Sequence, residues 1–263
     1  MKNVLITGVS SGIGEKTTEI FLQNGYFVIG LDIKKTNDKD NLYFIQTDIT
    51  KESDVLNVVT YLKDNKIDLD YIINIAGIHK MASLVENEYL DLKKVIDINL
   101  LGPMLINNKL HQFLKPKGKI IIVTSEVAGF DPLPFNGLYS ISKIALENYA
   151  QALRQELNLL KQKVITIMPG AIETPLQGGS LSDTAELSEK TLLYKNQSKK
   201  FLKITKKFMG TPLKPEKLAK VIYKVTIKKK NKLTYKIHRN KGLVLLNLLP
   251  KRWQCAIIKK ILK

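Results

Sequence analysis

The 263-residue sequence predicts a doubly wound α/β sheet of about seven parallel strands. Three observations predict it. Short apolar, β-type runs alternate with helical patterns, and the connections between them are brief. A glycine-spaced turn, Gly8, Gly12 and Gly14, separates the first such run from the first helical pattern. A proline-glycine break, Pro169-Gly170, closes the sixth run. The length suits one domain over 1–263, and a hydrophobic content of 44% is ordinary for a chain with a sizeable core.

Lys2 to Thr7 reads as the first strand, and Glu15 to Asn24 as a helix that ends at Gly25. Between them lie Gly8, Ser10, Ser11, Gly12, Ile13 and Gly14. Glycines let a backbone approach a pyrophosphate, and a helix N-terminus offers unpaired N–H groups and the positive end of its dipole. Strand, glycine turn and helix in that order make a phosphate-binding loop, so the sheet is of Rossmann type. Tyr26 to Leu31 is the second strand, ending in Asp32. An acid about 20 residues past the glycines can bind a ribose 2′-OH and repel a 2′-phosphate. That favours NAD over NADP, although Lys34 and Lys35 follow closely. The other reading of Asp32 is a turn residue.

Asn41 to Gln46 is the third strand. In Thr47-Asp48-Ile49-Thr50, Asp48 either caps the next helix or contacts an adenine, and Ile49 is a candidate beside it. Glu52 to Asn65 is that helix. Leu69 to Ile75 is the fourth strand, ending in Asn74-Ile75-Ala76-Gly77, whose small residues let the chain pass close to a cofactor. Leu84 to Leu114 carries one long helix or two. Asn99 lies inside it, a polar amide that must find a partner or bend the helix. Gly118 to Ser125 is the fifth strand, Val164 to Met168 the sixth and Lys232 to His238 the seventh. Pro215 to Val225 is a helix with proline at its start.

Tyr139-Ser140-Ile141-Ser142-Lys143 follows a loop rich in Pro and Gly and opens a helical run, Ile144 to Leu160. Residues at i and i+4 share a helical face. A free tyrosine has a pKa near ~10, and a fixed Lys⁺ nearby lowers it. The pair can then pass a proton to or from a substrate oxygen. Alone, it reads more readily as a packed tyrosine and a solvated lysine.

Together these motifs change that reading. Thr7-Gly8-x-x-x-Gly12-x-Gly14, Asn74-x-Ala76-Gly77, Asn99, Ser125, Tyr139-x-x-x-Lys143 and Pro169-Gly170 followed by Thr174 occur in an order and spacing that resemble the short-chain dehydrogenase/reductase family. They span residues 1–175. The resemblance implies NAD(P)-dependent hydride transfer between nicotinamide and a secondary alcohol or ketone. It implies that Tyr139 is the general acid/base, that Lys143 holds the nicotinamide ribose, and that Asn99 supports a water linking Lys143 to solvent. It places Ile172 and Thr174 at the nicotinamide amide and a serine after the fifth strand at the substrate oxygen. It also implies a homodimer or homotetramer. The chain departs from the pattern in Thr124-Ser125-Glu126-Val127-Ala128-Gly129, where Glu126 falls at the usual catalytic serine and Ser125 comes one residue early. Either residue can face Tyr139, and an ionised Glu126 there would raise the tyrosine pKa. Ile75 stands where an asparagine is usual.

Charge divides the chain. Residues 190–263 hold 23 Lys or Arg and one acid, Glu216, for +22, whereas residues 1–189 carry −4. Residues 171–210, with Gly178-Gly179 as a hinge and amphipathic helix over Leu187 to Phe208, read as a substrate lid. Residues 243–263 are a basic amphipathic segment: Trp253, Ile257, Ile258, Ile261 and Leu262 form one helical stripe among lysines. Such an end can lie on an anionic membrane or pack against the body or a second copy. A nucleic-acid partner is disfavoured, because the basic region lacks interleaved aromatics. The apolar runs of the last third point to a hydrophobic or carrier-bound small-molecule substrate. Of the histidines, His79 suits the substrate cleft, while His111 and His238 read as structural. No residues have metal-ligand spacing. One cysteine, Cys255, and no apolar stretch of about 18 residues suit a cytoplasmic protein, with peripheral membrane contact as an option. A dinucleotide-sensing protein with impaired chemistry is the alternative that Glu126 motivates.

Overall fold

The computed structural model describes residues 1–174, 183, 185–208 and 210–263. Seven strands run in chain order: β1 (Lys2–Thr7), β2 (Tyr26–Asp32), β3 (Leu42–Gln46), β4 (Leu69–Asn74), β5 (Leu114–Val123), β6 (Lys163–Pro169) and β7 (Thr234–Ile237). They form one sheet in the order β3-β2-β1-β4-β5-β6-β7, and every pairing is parallel. A parallel sheet is covered on both faces, which is why its strands read as continuous apolar runs. Helices α1 (Gly12–Gln23), α2 (Glu52–Asp64), α3 (Tyr89–Ile96), α4 (Gly102–Leu110) and α5 (Gly137–Leu159) come from the first two-thirds. Helices α6 (Lys195–Phe208), α7 (Pro215–Ile227), α8 (Lys241–Leu246) and α9 (Lys251–Leu262) follow.

Successive strand residues point to opposite faces. Leu5, Ile29, Ile72 and Ile120 pack beneath α2, α4 and α5. Val4, Ile6, Val28, Ile73 and Ile121 pack on the other face with Phe21 of α1 and Leu218 and Ile222 of α7. The chain leaves β1 toward β2 and β3, then returns to lay β4 on β1's other side. Such a switch point opens a crevice beyond the strand C-termini. Every candidate cofactor residue of the sequence lies at a strand C-terminus or on a loop or helix start near that end.

Three features of these elements matter for the site. Between Leu84 and Leu114 the helix is broken into α3 and α4 by a π-helical turn, Asp97–Leu101, and Asn99 sits in it. Strand β5 starts at Leu114, not Gly118, because Leu114 pairs with Leu69 across an irregular register that absorbs the Lys115-Pro116-Lys117 stretch. It ends at Val123, so Ser125 lies beyond the strand. Helix α5 starts at Gly137, not Ile144, so Tyr139 and Lys143 stand in its first two turns. The Gly178-Gly179 hinge lies outside the described residues.

The C-terminal segment is not a free tail. Ile258 and Leu262 of α9 join a small core with Met81, Phe135, and Phe201 and Ile204 of α6. Among the described residues, no helix is long and apolar enough to cross a membrane.

Candidate active site

The glycine turn after β1 is a cradle without room for side chains. Gly8 has φ +80°, and a Cβ on it would lie 3.0 Å from the Ala76 Cα. A Cβ on Gly14 would lie 1.8 Å from the Gly8 carbonyl oxygen. Thr7 ties the ends of β1 and β4 by accepting the Ile75 and Ala76 N–H groups on Oγ1 at 3.0 and 3.1 Å. Ser11 is the N-cap of α1, but its side chain makes no capping bond. The first-turn N–H groups of α1 therefore keep their capacity for an anion. Close backbone approach and an uncapped helix start fit the pyrophosphate of a dinucleotide.

Asp32 braces this loop. Its Oδ2 accepts the Ser10 N–H at 3.0 Å and its Oδ1 accepts the Lys34 N–H at 3.1 Å. Both bonds keep the carboxylate at the end of β2, facing the turn. Asp48 does not cap α2, whose N-cap is Lys51. Its Oδ1 instead accepts from the backbone and hydroxyl of Thr50 at 3.0 and 2.7 Å, a local turn that competes with capping. Ile49 is buried in the core beneath α2 and α4. Asn74 also turns inward, donating from Nδ2 to Asn107 Oδ1 at 2.9 Å.

The π-helical turn presents the Asn99 amide to the segment after Gly77. Asn99 Oδ1 accepts the Ile78 N–H at 2.8 Å, and Nδ2 donates to the Ile78 carbonyl at 2.8 Å and to Ser142 Oγ at 3.1 Å. Ser142 in turn donates to the Tyr139 carbonyl at 2.7 Å. Asn99 thus clamps the Gly77-Ile78 backbone to the start of α5. A Cβ on Gly77 would lie 3.0 Å from Asn99 Oδ1 and 3.4 Å from Lys143 Nζ. Gly77 leaves both polar atoms open to one small space.

Tyr139 and Lys143 are buried on the face of α5 turned to this space. Lys143 Nζ donates to the Val123 carbonyl at 3.4 Å and lies 5.9 Å from the centroid of the Tyr139 ring. Burial pushes the Tyr139 phenol up to about 12, partly offset by a hydrogen bond with the Ser125 side chain. Burial pushes Lys143 down to about 8. The expected depression of the Tyr139 pKa by Lys143 is therefore corrected. Removal from water dominates both shifts, and at this separation neither group contributes to the other's. His79 packs its ring on Tyr139 with centroids 4.3 Å apart, and burial pushes it down to about 4. It is a neutral wall at pH 7.

Ser125, not Glu126, faces Tyr139. Ser125 caps the short turn Glu126–Gly129, its Oγ accepting the Val127 N–H at 3.4 Å. Glu126 also lines the cavity described below, but its Oε2 is engaged by the Asn240 N–H at 2.7 Å. Burial raises its carboxyl pKa, while the Asn240 N–H and the charges of Arg239 and His238 oppose the rise. No carboxylate contributes to the Tyr139 shift.

Above Ser125, Tyr139 and Lys143 lies a cavity of about 510 Å³. Ile13, Gly77, Pro169, Gly170, Ile172 and Thr174 line its near side. The chain passes tightly at Gly170, where a Cβ would lie 2.0 Å from the His238 carbonyl oxygen. The far end is apolar: Phe201 and Ile204 of α6, Leu243 and Leu246 of α8, and Ile258 and Leu262 of α9. The sequence carried the signal for the last pair, in the helical stripe of residues 253–262. It carried none for where that stripe packs.

A model of the short chain dehydrogenase family matches residues 2–185. The chain is 33% identical over 202 residues to the NADPH-dependent 1-acyldihydroxyacetone phosphate reductase of Schizosaccharomyces pombe, covering 73% of this chain and 68% of that protein. It is 27% identical over 231 residues to the 3-ketodihydrosphingosine reductase of Bacteroides thetaiotaomicron, covering 86% and 84%. A short chain dehydrogenase family protein from Francisella tularensis superposes with a TM-score of 0.75 at 26% identity, over 90% of this chain and 96% of that one.

Proposed function

The chain belongs to the short-chain dehydrogenase family and is an NAD(P)-dependent oxidoreductase; we propose that it interconverts a ketone and a secondary alcohol on a substrate with a long apolar chain, with NAD(H) preferred. The observation that carries this reading is the Ser125–Tyr139 pair opening into a cavity whose far wall is apolar. Two relatives named for acyl- and sphingoid-type substrates support the substrate class.

A dinucleotide held at the β1–α1 turn would supply the hydride chemistry. Everything else falls to the chain. The Gly8–Gly14 cradle and the α1 N-terminus hold the pyrophosphate. Ser125 Oγ orients the substrate oxygen. Tyr139, a neutral phenol at pH 7 whose proton burial holds more tightly, delivers its proton to that oxygen as a ketone is reduced and takes one from the alcohol in the reverse direction. Lys143, at the ribose side, keeps a positive charge near the phenol. The apolar wall excludes water and strengthens each of these interactions.

Asp32 supports the NAD(H) preference. Its carboxylate is held toward the turn by Ser10, where it would oppose a 2′-phosphate. The S. pombe relative is named NADPH-dependent, so the preference is tested directly. Wild type should reduce a long linear methyl ketone faster with NADH than with NADPH. Asp32→Ala should raise the NADPH-to-NADH ratio of kcat/KM by about tenfold, equivalent to about 1.4 kcal/mol. An unchanged ratio removes Asp32 from cofactor selection. The impaired-chemistry alternative depended on a carboxylate opposite Tyr139, and Glu126 is bonded elsewhere.

The C-terminal helices support a peripheral contact with an anionic membrane. Leu245, Leu248 and Trp253 remain 67%, 75% and 62% exposed, close in sequence to Lys241, Lys251, Arg252, Lys259 and Lys260. Wild type should sediment with phosphatidylserine vesicles at low salt. A Lys259→Glu/Lys260→Glu/Trp253→Ser variant should sediment much less, and equal sedimentation of both rejects the contact.

A further inference from the structure

The loop after β5 carries two acids, Glu126 and Asp131, that take no part in the Ser125–Tyr139 contact. Both reach across to the C-terminal segment. Glu126 Oε2 accepts the Asn240 N–H, and Asn240 caps α8 by accepting the Leu243 N–H on Oδ1 at 3.1 Å. Asp131 engages three residues around α8 and α9. Its N–H donates to Asn247 Oδ1 at 2.6 Å, and its Oδ2 accepts from Gln254 Nε2 at 3.0 Å. Its Oδ1 lies 3.3 Å from Lys251 Nζ. Gln254 is itself buried and also donates to the Leu249 carbonyl at 2.9 Å.

The helices so held are the ones that close the cavity with Leu243, Leu246, Ile258 and Leu262. Residues 190–263 have a single acid for 23 bases. Within the fold, Asp131 pairs with Lys251 of this segment and Glu126 sits in the field of Arg239. Hydrogen bonds to an ionised carboxylate are roughly twice as strong as neutral ones. A buried carboxyl such as Glu126 is costly unless so bonded. The bonds also join the two ends of the cavity: Glu126 is the immediate neighbour of Ser125.

We propose that Glu126 and Asp131 are specificity-determining positioning residues that pin residues 240–262 as a fixed ceiling over the apolar end of the cavity, so that the enzyme selects substrates with a long apolar chain. The proposal rests on the reading of the cavity as the substrate site. Each methylene seated under a fixed ceiling is worth about fourfold in affinity. A ceiling that moves away forfeits several of those contacts at once.

The test compares wild type with Asp131→Ala, which removes the carboxylate bonds to Gln254 and Lys251, with Asn247→Ala, which removes the acceptor of the Asp131 N–H, and with Glu126→Gln. The readouts are kcat/KM for acetone and for a long linear methyl ketone, and binding of the long-chain fluorophore cis-parinaric acid. Energy transfer from Trp253, the sole tryptophan, reports that binding without turnover. Asp131→Ala and Asn247→Ala should each lower kcat/KM for the long ketone about tenfold through KM, leave acetone within about twofold, and weaken probe binding about tenfold. Glu126→Gln, which keeps an acceptor for Asn240, should lose less than either. Probe affinity unchanged in both the Asp131 and Asn247 variants overturns the ceiling role whatever the turnover. Weakened probe binding in a protein that reduces no ketone supports the ceiling and overturns only the proposed reaction.

Discussion

Tyr139→Phe is expected to lower kcat by about 10³-fold, within the range that a positioned general acid or base contributes. The substitution removes one oxygen and little else. The ring keeps its packing on His79, and no cavity forms. Ser125 retains the Val127 N–H as a partner, so no buried hydroxyl is stranded. Stability should change by only about 1 kcal/mol, the net worth of one hydrogen bond. Dinucleotide affinity should be unchanged, because the phosphate cradle lies on the β1–α1 turn. A variant that folds, binds NADH and turns over within about threefold of wild type contradicts the role of Tyr139 as proton carrier.

The second large effect is structural in origin. Gly14→Ala should abolish dinucleotide binding at concentrations that saturate wild type, a loss of about 100-fold or more, or about 2.7 kcal/mol. The new Cβ would sit 1.8 Å from the Gly8 carbonyl oxygen. No side-chain rotation relieves a clash between two backbone segments, so α1 must move off the turn. Overpacking of this kind costs about 3 kcal/mol, and it carries the first-turn N–H groups away from the phosphates. Gly25→Ala is the control. Gly25 has φ +73° but nothing within 4 Å of a new Cβ, so it should cost about 1 kcal/mol in backbone strain and leave binding intact. Isothermal titration with NADH and thermal melts of both variants check the pair. Equal NADH affinity in Gly14→Ala and wild type would remove the turn from cofactor binding.

The sheet was legible in the sequence because its central strands are buried on both faces and therefore read as apolar runs. Strand β5 was misplaced at its start because Lys115-Pro116-Lys117 looks like a turn, and only pairing with Leu69 draws Leu114 into the sheet. Asn99 announced itself as a polar residue in an apolar helix. The π-helical turn that satisfies it depends on Ile78 and Ser142, which no local pattern connects to it. The orientation of Ser125 and Glu126 was illegible for the same reason. It is decided by Asn240, far along the chain. Likewise the apolar stripe of α9 could be read, but not its seat against Phe201. The proton affinities of Tyr139 and Lys143 were misjudged because helical spacing shows proximity, whereas burial controls the shifts.

The central claim is that Tyr139 and Ser125 reduce or oxidise a carbonyl carried on a long apolar chain. The most direct test is the ketone-dependent loss of nicotinamide absorbance from NADH, measured across linear methyl ketones from acetone upward. The account predicts turnover whose kcat/KM climbs with chain length until the cavity under α8 and α9 is filled. NADH that binds but is oxidised by no ketone in the series would contradict it.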